Sequence, residues 1–146
     1  MIEYPKLKIA LEYLEAAIEE RELHQRYFAA MNLAGAAEEI FGKIIRVLGK
    51  TDQLTGTVET LTDIQEQLSW EKQSRKDLKN LLGSTKNSIK HMDSVNDRNA
   101  QLYFEVEGES KWLIQAAIRN LDILEIPHSG TVIGFVEQYA ESSVQE

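Results

Sequence analysis

Apolar residues recur along most of this chain at steps of three and four, which is the spacing of a helix that buries one face. The first such stretch follows Pro5, a residue suited to the first turn of a helix, and meets a polar cluster at 19–26. The stretch carries Leu7, Ala10, Leu11, Leu14, Ala17 and Ile18. The pattern predicts an amphipathic first helix that ends or bends within that polar cluster.

The second stretch gives the clearest helix, from about 26 to 48, and Gly49 is a natural residue to end it. Five alanines and a glycine between 29 and 37 indicate a close crossing with a neighbouring helix. Glu38 and Glu39 follow inside the same apolar helix. We expect at least one of these carboxylates to be partly buried and to need a partner.

The later part of the chain continues the pattern. The predicted elements are a helix over about 54–69 and a stretch over 70–92 that is either continuous or interrupted at Gly83. A loop over 93–99, a helix over 101–125, a turn at 127–130 and a short helix over 131–140 follow, before a frayed polar tail. We therefore predict one all-α domain over 1–146, a helical bundle of five or six helices with its core at about 5–125.

Composition narrows the possible functions. The chain has no cysteine, so disulfides, thiolate metal sites and a cysteine nucleophile are excluded. No apolar run is long enough to span a membrane, and acidic residues interrupt the N-terminal segment where a signal peptide would be apolar. We expect a cytoplasmic protein that does not bind membranes.

The net charge of −8 is distributed unevenly, because residues 72–90 contain six Lys or Arg and only one acid. On a helix, these cations fall close to one line, opposite an apolar face. The cations are Lys72, Arg75, Lys76, Lys79, Lys86 and Lys90, and we call them the basic stripe. The stripe has two interpretations: an ordinary solvated face, or a surface that follows a phosphate backbone.

Within this region, Lys86, Asn87 and His91 are spaced so that they lie near one another on a helix. A histidine can move a proton near neutral pH, a lysine can stabilise developing negative charge, and an amide can orient a phosphate. RNA supplies its own nucleophile, the 2′-hydroxyl, so these groups could suffice for cleavage. The alternative is a cationic helix end with an incidental histidine. No metal site and no cofactor are predicted.

Two segments resemble a known superfamily. Leu33–Lys43, an Ala-rich helix with a Glu pair and Gly-Lys behind it, resembles the second helix of HEPN-like proteins (higher eukaryotes and prokaryotes nucleotide-binding). The Lys86-Asn87…His91 element resembles their later motif, and Ala116–Asn120 is similar to their late helix. The resemblance implies an up-and-down bundle, usually dimeric, whose active members are metal-independent ribonucleases of toxins or defence systems.

Carried over, Lys86, Asn87 and His91 are the candidate catalytic residues, and Glu38 or Glu39 is the supporting acid. The family motif has Arg where this chain has Lys86, and lysine cannot make the forked contacts that arginine makes to phosphate. Three hypotheses remain: a homodimer that binds RNA or a nucleotide through the basic stripe, a metal-independent ribonuclease, or a bundle that binds only a cognate protein partner.

Overall fold

The computed structural model describes residues 1, 3, 5–67, 74, 76–80 and 105–144. Within these residues the protein contains five long helices, one further helical turn at 76–80, and no strand. The helices are α1 (Lys6–Glu22), α2 (Tyr27–Val47), α3 (Gln53–Gln67), α4 (Val106–Ile123) and α5 (Gly130–Val144). The predicted all-α helical bundle is confirmed.

The ends of α1 and α2 follow local chemistry. Pro5 is extended and precedes α1, and its carbonyl accepts the N–H of Lys8 at 3.0 Å. At the other boundary, Gly49 adopts a φ of 74°, as the sequence predicted for the residue after α2. The N–H groups of Gly49 and Lys50 donate back to the carbonyls of Arg46 and Ile45, both at 3.0 Å. These two bonds satisfy helix-end carbonyls that would otherwise lack a partner.

The directions of the helices follow from contacts between them. α1 and α2 are joined by a short turn and pack against each other antiparallel. The Tyr27 hydroxyl reaches Glu107 near the start of α4, whereas Lys50, beyond the end of α2, reaches the carbonyl of Ile123 at the end of α4. α2 and α4 are therefore parallel neighbours.

The core lies where α1, α2 and α4 meet, and its α2 contribution is mostly small. Ala30, Ala34 and Ala37 have no exposed surface, and Phe41 fills the space beyond them. Small side chains let helix backbones approach closely, and the burial of these alanines is consistent with the predicted close crossing at 29–37. The facing residues are Ala10, Leu14, Ala17 and Ile18 of α1, with Leu113, Ile114, Ala117, Ile118 and Leu121 of α4.

The last helix is longer than predicted. α5 runs from Gly130 to Val144, whereas the sequence indicated a short helix over 131–140 and a frayed tail. Val132 and Phe135 are buried in the main cluster, so the core does not end at 125 as predicted. Ser129 stabilises the start of α5 by accepting the N–H of Val132 at its Oγ, at 3.4 Å. The polar residues after Ala140 are compatible with helical backbone, which continues to Val144.

In the part of the chain that the structure describes, no helix combines the length and the apolar character needed to cross a bilayer.

Candidate functional site

The three candidate catalytic residues, Lys86, Asn87 and His91, lie outside the described residues. So do Lys72, Arg75 and Lys90 of the basic stripe, the interruption predicted at Gly83 and the loop predicted at 93–99. The structure places four of the predicted site residues, Lys76, Lys79, Glu38 and Glu39. Whether Glu38 or Glu39 supports a catalytic motif stays a prediction.

The helical turn at 76–80 has one buried apolar side and one exposed cationic side, as the sequence predicted. Leu78 is 3% exposed, whereas Lys76 and Lys79 on the same turn are exposed. Ser74 begins this turn, because its Oγ accepts the N–H of Asp77 at 3.1 Å. One apolar side chain thus faces the protein and two cations of the basic stripe face solvent.

Lys79 and the predicted glutamates line one cavity of ≈ 220 Å³ against the second half of α2. Glu38 is buried, and Glu39 pairs with Lys43 at 3.4 Å across one helical turn. The expectation that one carboxylate of this pair is buried is confirmed. The structure therefore brings Lys79 of the basic stripe next to the acidic pair, although Lys79 and Glu39 are 40 residues apart in sequence.

A second ion pair closes this cavity. Asp52 is 2% exposed and accepts Nη1–H of Arg46 at its Oδ2, at 2.5 Å. Its other oxygen accepts the backbone N–H of Thr55 at 3.2 Å, so Asp52 also caps the start of α3. A Cβ on Gly42 would lie 3.1 Å from Asp52 Oδ2, which explains why the residue beneath this carboxylate is glycine.

Asn120 links the same cluster to α4. Its amide Nδ2 donates to the carbonyl of Glu38 at 3.1 Å, and its Oδ1 accepts the backbone N–H of Gln53 at 2.8 Å. Asn120 has no exposed surface, so these bonds are needed to offset its burial. One side chain thereby joins α2, the start of α3 and α4.

The charges around this cavity are balanced. Glu38, Glu39 and Asp52 supply three acids, and Lys43, Arg46 and Lys79 supply three cations. A phosphate would meet as many negative as positive groups there. The cavity therefore offers an anion no net positive charge.

At the opposite end of the bundle, Arg21 is buried and holds three helices together. Its Nε donates to Ser110 Oγ at 2.9 Å and its Nη2 donates to the carbonyl of Glu107 at 2.9 Å. Its Nη1 donates to both Glu22 and Tyr139. Glu105 starts α4 beside this cluster by accepting the N–H of Glu107 at 2.9 Å. All three guanidinium nitrogens are engaged, which indicates a structural connection.

Tyr139 completes the Arg21 cluster. Its hydroxyl donates to Glu22 Oε1 at 2.7 Å, and its ring lies 4.5 Å from the Lys111 ammonium. Burial raises the pKa of the Tyr139 phenol, the hydrogen bond to Glu22 raises it further, and the charge of Arg21 opposes both. A phenol held in its neutral form is a donor rather than a base. Sequence reasoning missed this cluster, because its members are about 90 to 120 residues apart.

A third polar group lies at the turn between α4 and α5. Nε2–H of His128 donates to Oδ1 of Asp122 at 2.5 Å. α4 ends at Ile123 and residues 126–129 are not helical, so Glu125 and His128 do not share a helical turn.

Among the described residues, no three His, Asp or Glu side chains are arranged to hold a metal ion. No family model, curated protein or solved structure matches this chain. The HEPN-like resemblance therefore stays a prediction, and the functional argument depends on the residues themselves.

Proposed function

We propose that this protein binds RNA or a nucleotide through the basic stripe, as a HEPN-like helical module. The observation that carries the proposal is the turn at 76–80, where Leu78 is buried and Lys76 and Lys79 are exposed. Exposed lysines in a helical row present positive charge at a spacing that a phosphate backbone can follow.

The position of this turn beside α2 supports the proposal. Lys79 lines the same cavity as the Glu39–Lys43 and Arg46–Asp52 ion pairs, and Leu78 of the turn is buried. The rest of the chain is acidic, which would repel RNA elsewhere and direct it to this surface.

The direct test is fluorescence anisotropy with a labelled single-stranded RNA, comparing the wild type with the double variant Lys76→Glu/Lys79→Glu. We expect the double variant to bind at least about tenfold more weakly, because two phosphate contacts are replaced by repulsion. The matched control is Arg26→Glu/Lys111→Glu, which makes the same change in net charge at the opposite end of the bundle.

Two results would contradict the proposal. One is unchanged affinity in Lys76→Glu/Lys79→Glu. The other is an equal loss in the control variant, because net charge alone would then explain binding. Circular dichroism of each variant shows whether the fold is retained.

The same reactions distinguish the alternative function, a metal-independent ribonuclease. Cleavage of the RNA that persists in EDTA and is abolished by His91→Ala would assign acid–base chemistry to His91, with Lys86 and Asn87 at the phosphate. Intact RNA in the presence of tight binding favours the binding module. Stable recovery of one stoichiometric protein without nucleic acid would favour a protein-binding bundle.

The proposal includes an expected oligomeric state and an expected location. A cytoplasmic homodimer would place two basic stripes in one assembly, and two sites joined in one molecule bind a long RNA more tightly than one site does. Light scattering on the purified protein measures the mass that this requires.

A further inference from the structure

A groove between α4 and α5 has a different chemistry from the basic stripe. It has a volume of ≈ 280 Å³, at the lower end of the range for small-molecule sites. Ile118 and Phe135 form its apolar floor and are nearly fully buried, and Val136 lies at its side. Gln115 and Arg119, one helical turn apart on α4, also line the groove.

Arg119 is the source of positive charge in this groove. Its side chain is exposed, and within the described part of the chain it has no hydrogen-bond or ion-pair partner. A guanidinium is always protonated and presents a planar fork that fits a carboxylate. The groove therefore has an uncommitted anion-binding group next to an apolar floor.

Asp122 is the one acid in the lining of this groove, and it is already engaged. His128 donates to its Oδ1 at 2.5 Å, from the turn that follows α4. This hydrogen bond occupies one oxygen of the Asp122 carboxylate, and His128 lines the groove beside it.

The turn that positions His128 is itself unusual. Glu125 adopts a φ of 57°, and the N–H of Ile126 donates to the carbonyl of Leu121 at 3.2 Å. A glycine would adopt this conformation without strain, whereas a residue with a Cβ does so at a cost. Strained positions of this kind concentrate near functional sites. Pro127 directly precedes His128, and its ring restricts the backbone φ of Pro127 itself.

We infer that this groove binds a small organic monocarboxylate with a compact apolar body. Arg119 would bind the carboxylate, Gln115 would donate a further hydrogen bond, and the apolar body would lie on Ile118 and Phe135. The inference is independent of the proposed RNA binding, because it uses none of the basic stripe.

The test is two-dimensional amide NMR of the full chain, titrated separately with benzoate, phenylacetate and isovalerate. We expect at least one acid to give saturable shifts in α4 and α5 around Gln115, Arg119 and Val136, and phenylacetamide to give none. Arg119→Ala should weaken binding about tenfold or more, because it removes a charge-assisted hydrogen bond. Arg26→Ala is the matched control, an exposed arginine outside the groove.

Val136→Asn tests the apolar part of the site separately and should weaken binding less than Arg119→Ala does. Both residues are exposed, so both variants should fold. The inference is overturned if no acid gives saturable shifts, if phenylacetamide binds as well as phenylacetate, or if Arg119→Ala binds with wild-type affinity. Shifts confined to the Arg21 cluster would overturn it as well.

Discussion

Glu125 shows how one residue can be strained without any special side-chain contact. It is exposed and has a positive φ of 57° at the end of α4, where glycine is the common residue. The left-handed conformation costs roughly 1–2 kcal/mol for a residue with a Cβ. Glycine removes this strain, but it also makes the unfolded chain more flexible, which lowers the free energy of unfolding and cancels part of the gain.

We therefore predict that Glu125→Gly has a higher free energy of unfolding than Glu125→Ala, by about 1 kcal/mol. The two variants lose the same charge and differ in the Cβ, so their difference isolates the backbone strain. Urea unfolding at neutral pH measures it. Equal stability of the two variants would show that the turn relaxes at no cost.

Tyr139 makes the free energy of unfolding depend on pH in the alkaline range. Its pKa is raised above the ordinary value of 10.0, first by burial and then by the hydrogen bond to Glu22. The unfolded chain consequently releases this proton at a lower pH than the folded chain. The resulting stability is present below pH 10 and is lost as the pH rises through the folded pKa.

We expect the free energy of unfolding to fall above pH 10 in the wild type and to fall less steeply in Tyr139→Phe. The other tyrosines and the lysines titrate in both proteins, so the difference between the two curves reports Tyr139. Urea unfolding at a series of alkaline pH values provides the curves. Parallel curves would contradict the assignment.

At the scale of elements, the helices could be predicted because each depends on nearby residues. Gly49 marks the end of α2 because glycine readily adopts the positive φ found there. Leu78 and Lys79 are adjacent residues of opposite character, and they mark the buried and the exposed side of one helical turn. The contacts between helices could not be predicted in the same way. Asn120 bonds to Glu38 and to Gln53 from remote positions, and nothing in the local sequence distinguishes it from a surface asparagine.

Arg21 is the strongest example of a contact that only the fold creates. It is 9% exposed and bonds to α1, α4 and α5, whereas Arg26 is exposed and pairs with Glu20 at 3.5 Å. Both arginines lie near the acidic end of α1, but only Arg21 continues the three- and four-residue spacing of Ala17 and Ile18. Burial alone determines that one of them connects helices and the other interacts mainly with solvent.

Arg21→Met should lower the free energy of unfolding by about 3 kcal/mol, because it keeps the packing volume but leaves Glu22 without its buried cation. Arg26→Met, the matched control, should change it by less than about 0.5 kcal/mol. Thermal and urea unfolding measure both. Similar losses in the two variants would mean that the Arg21 cluster does not hold α4 and α5 to α1.

At the scale of the whole molecule, the central claim concerns the distribution of charge. The chain is acidic overall, yet the turn at 76–80 presents Lys76 and Lys79 to solvent while Leu78 faces inward. In the adjoining cavity, Lys43 pairs with Glu39 and Arg46 pairs with Asp52, while Lys76 and Lys79 are the exposed cations of the turn. The predicted catalytic residues are a separate matter, because Lys86, Asn87 and His91 lie outside the described residues.

The most direct measurement of this claim is the salt dependence of RNA affinity, in the wild type and in Lys76→Gln/Lys79→Gln. Each lysine that contacts a phosphate releases counterions, so the slope of log affinity against log salt should become shallower by about 2 in the double variant. The slope should be unchanged in Arg26→Gln/Lys111→Gln. Equal slopes in the wild type and Lys76→Gln/Lys79→Gln, or no RNA binding at low salt, would contradict the account.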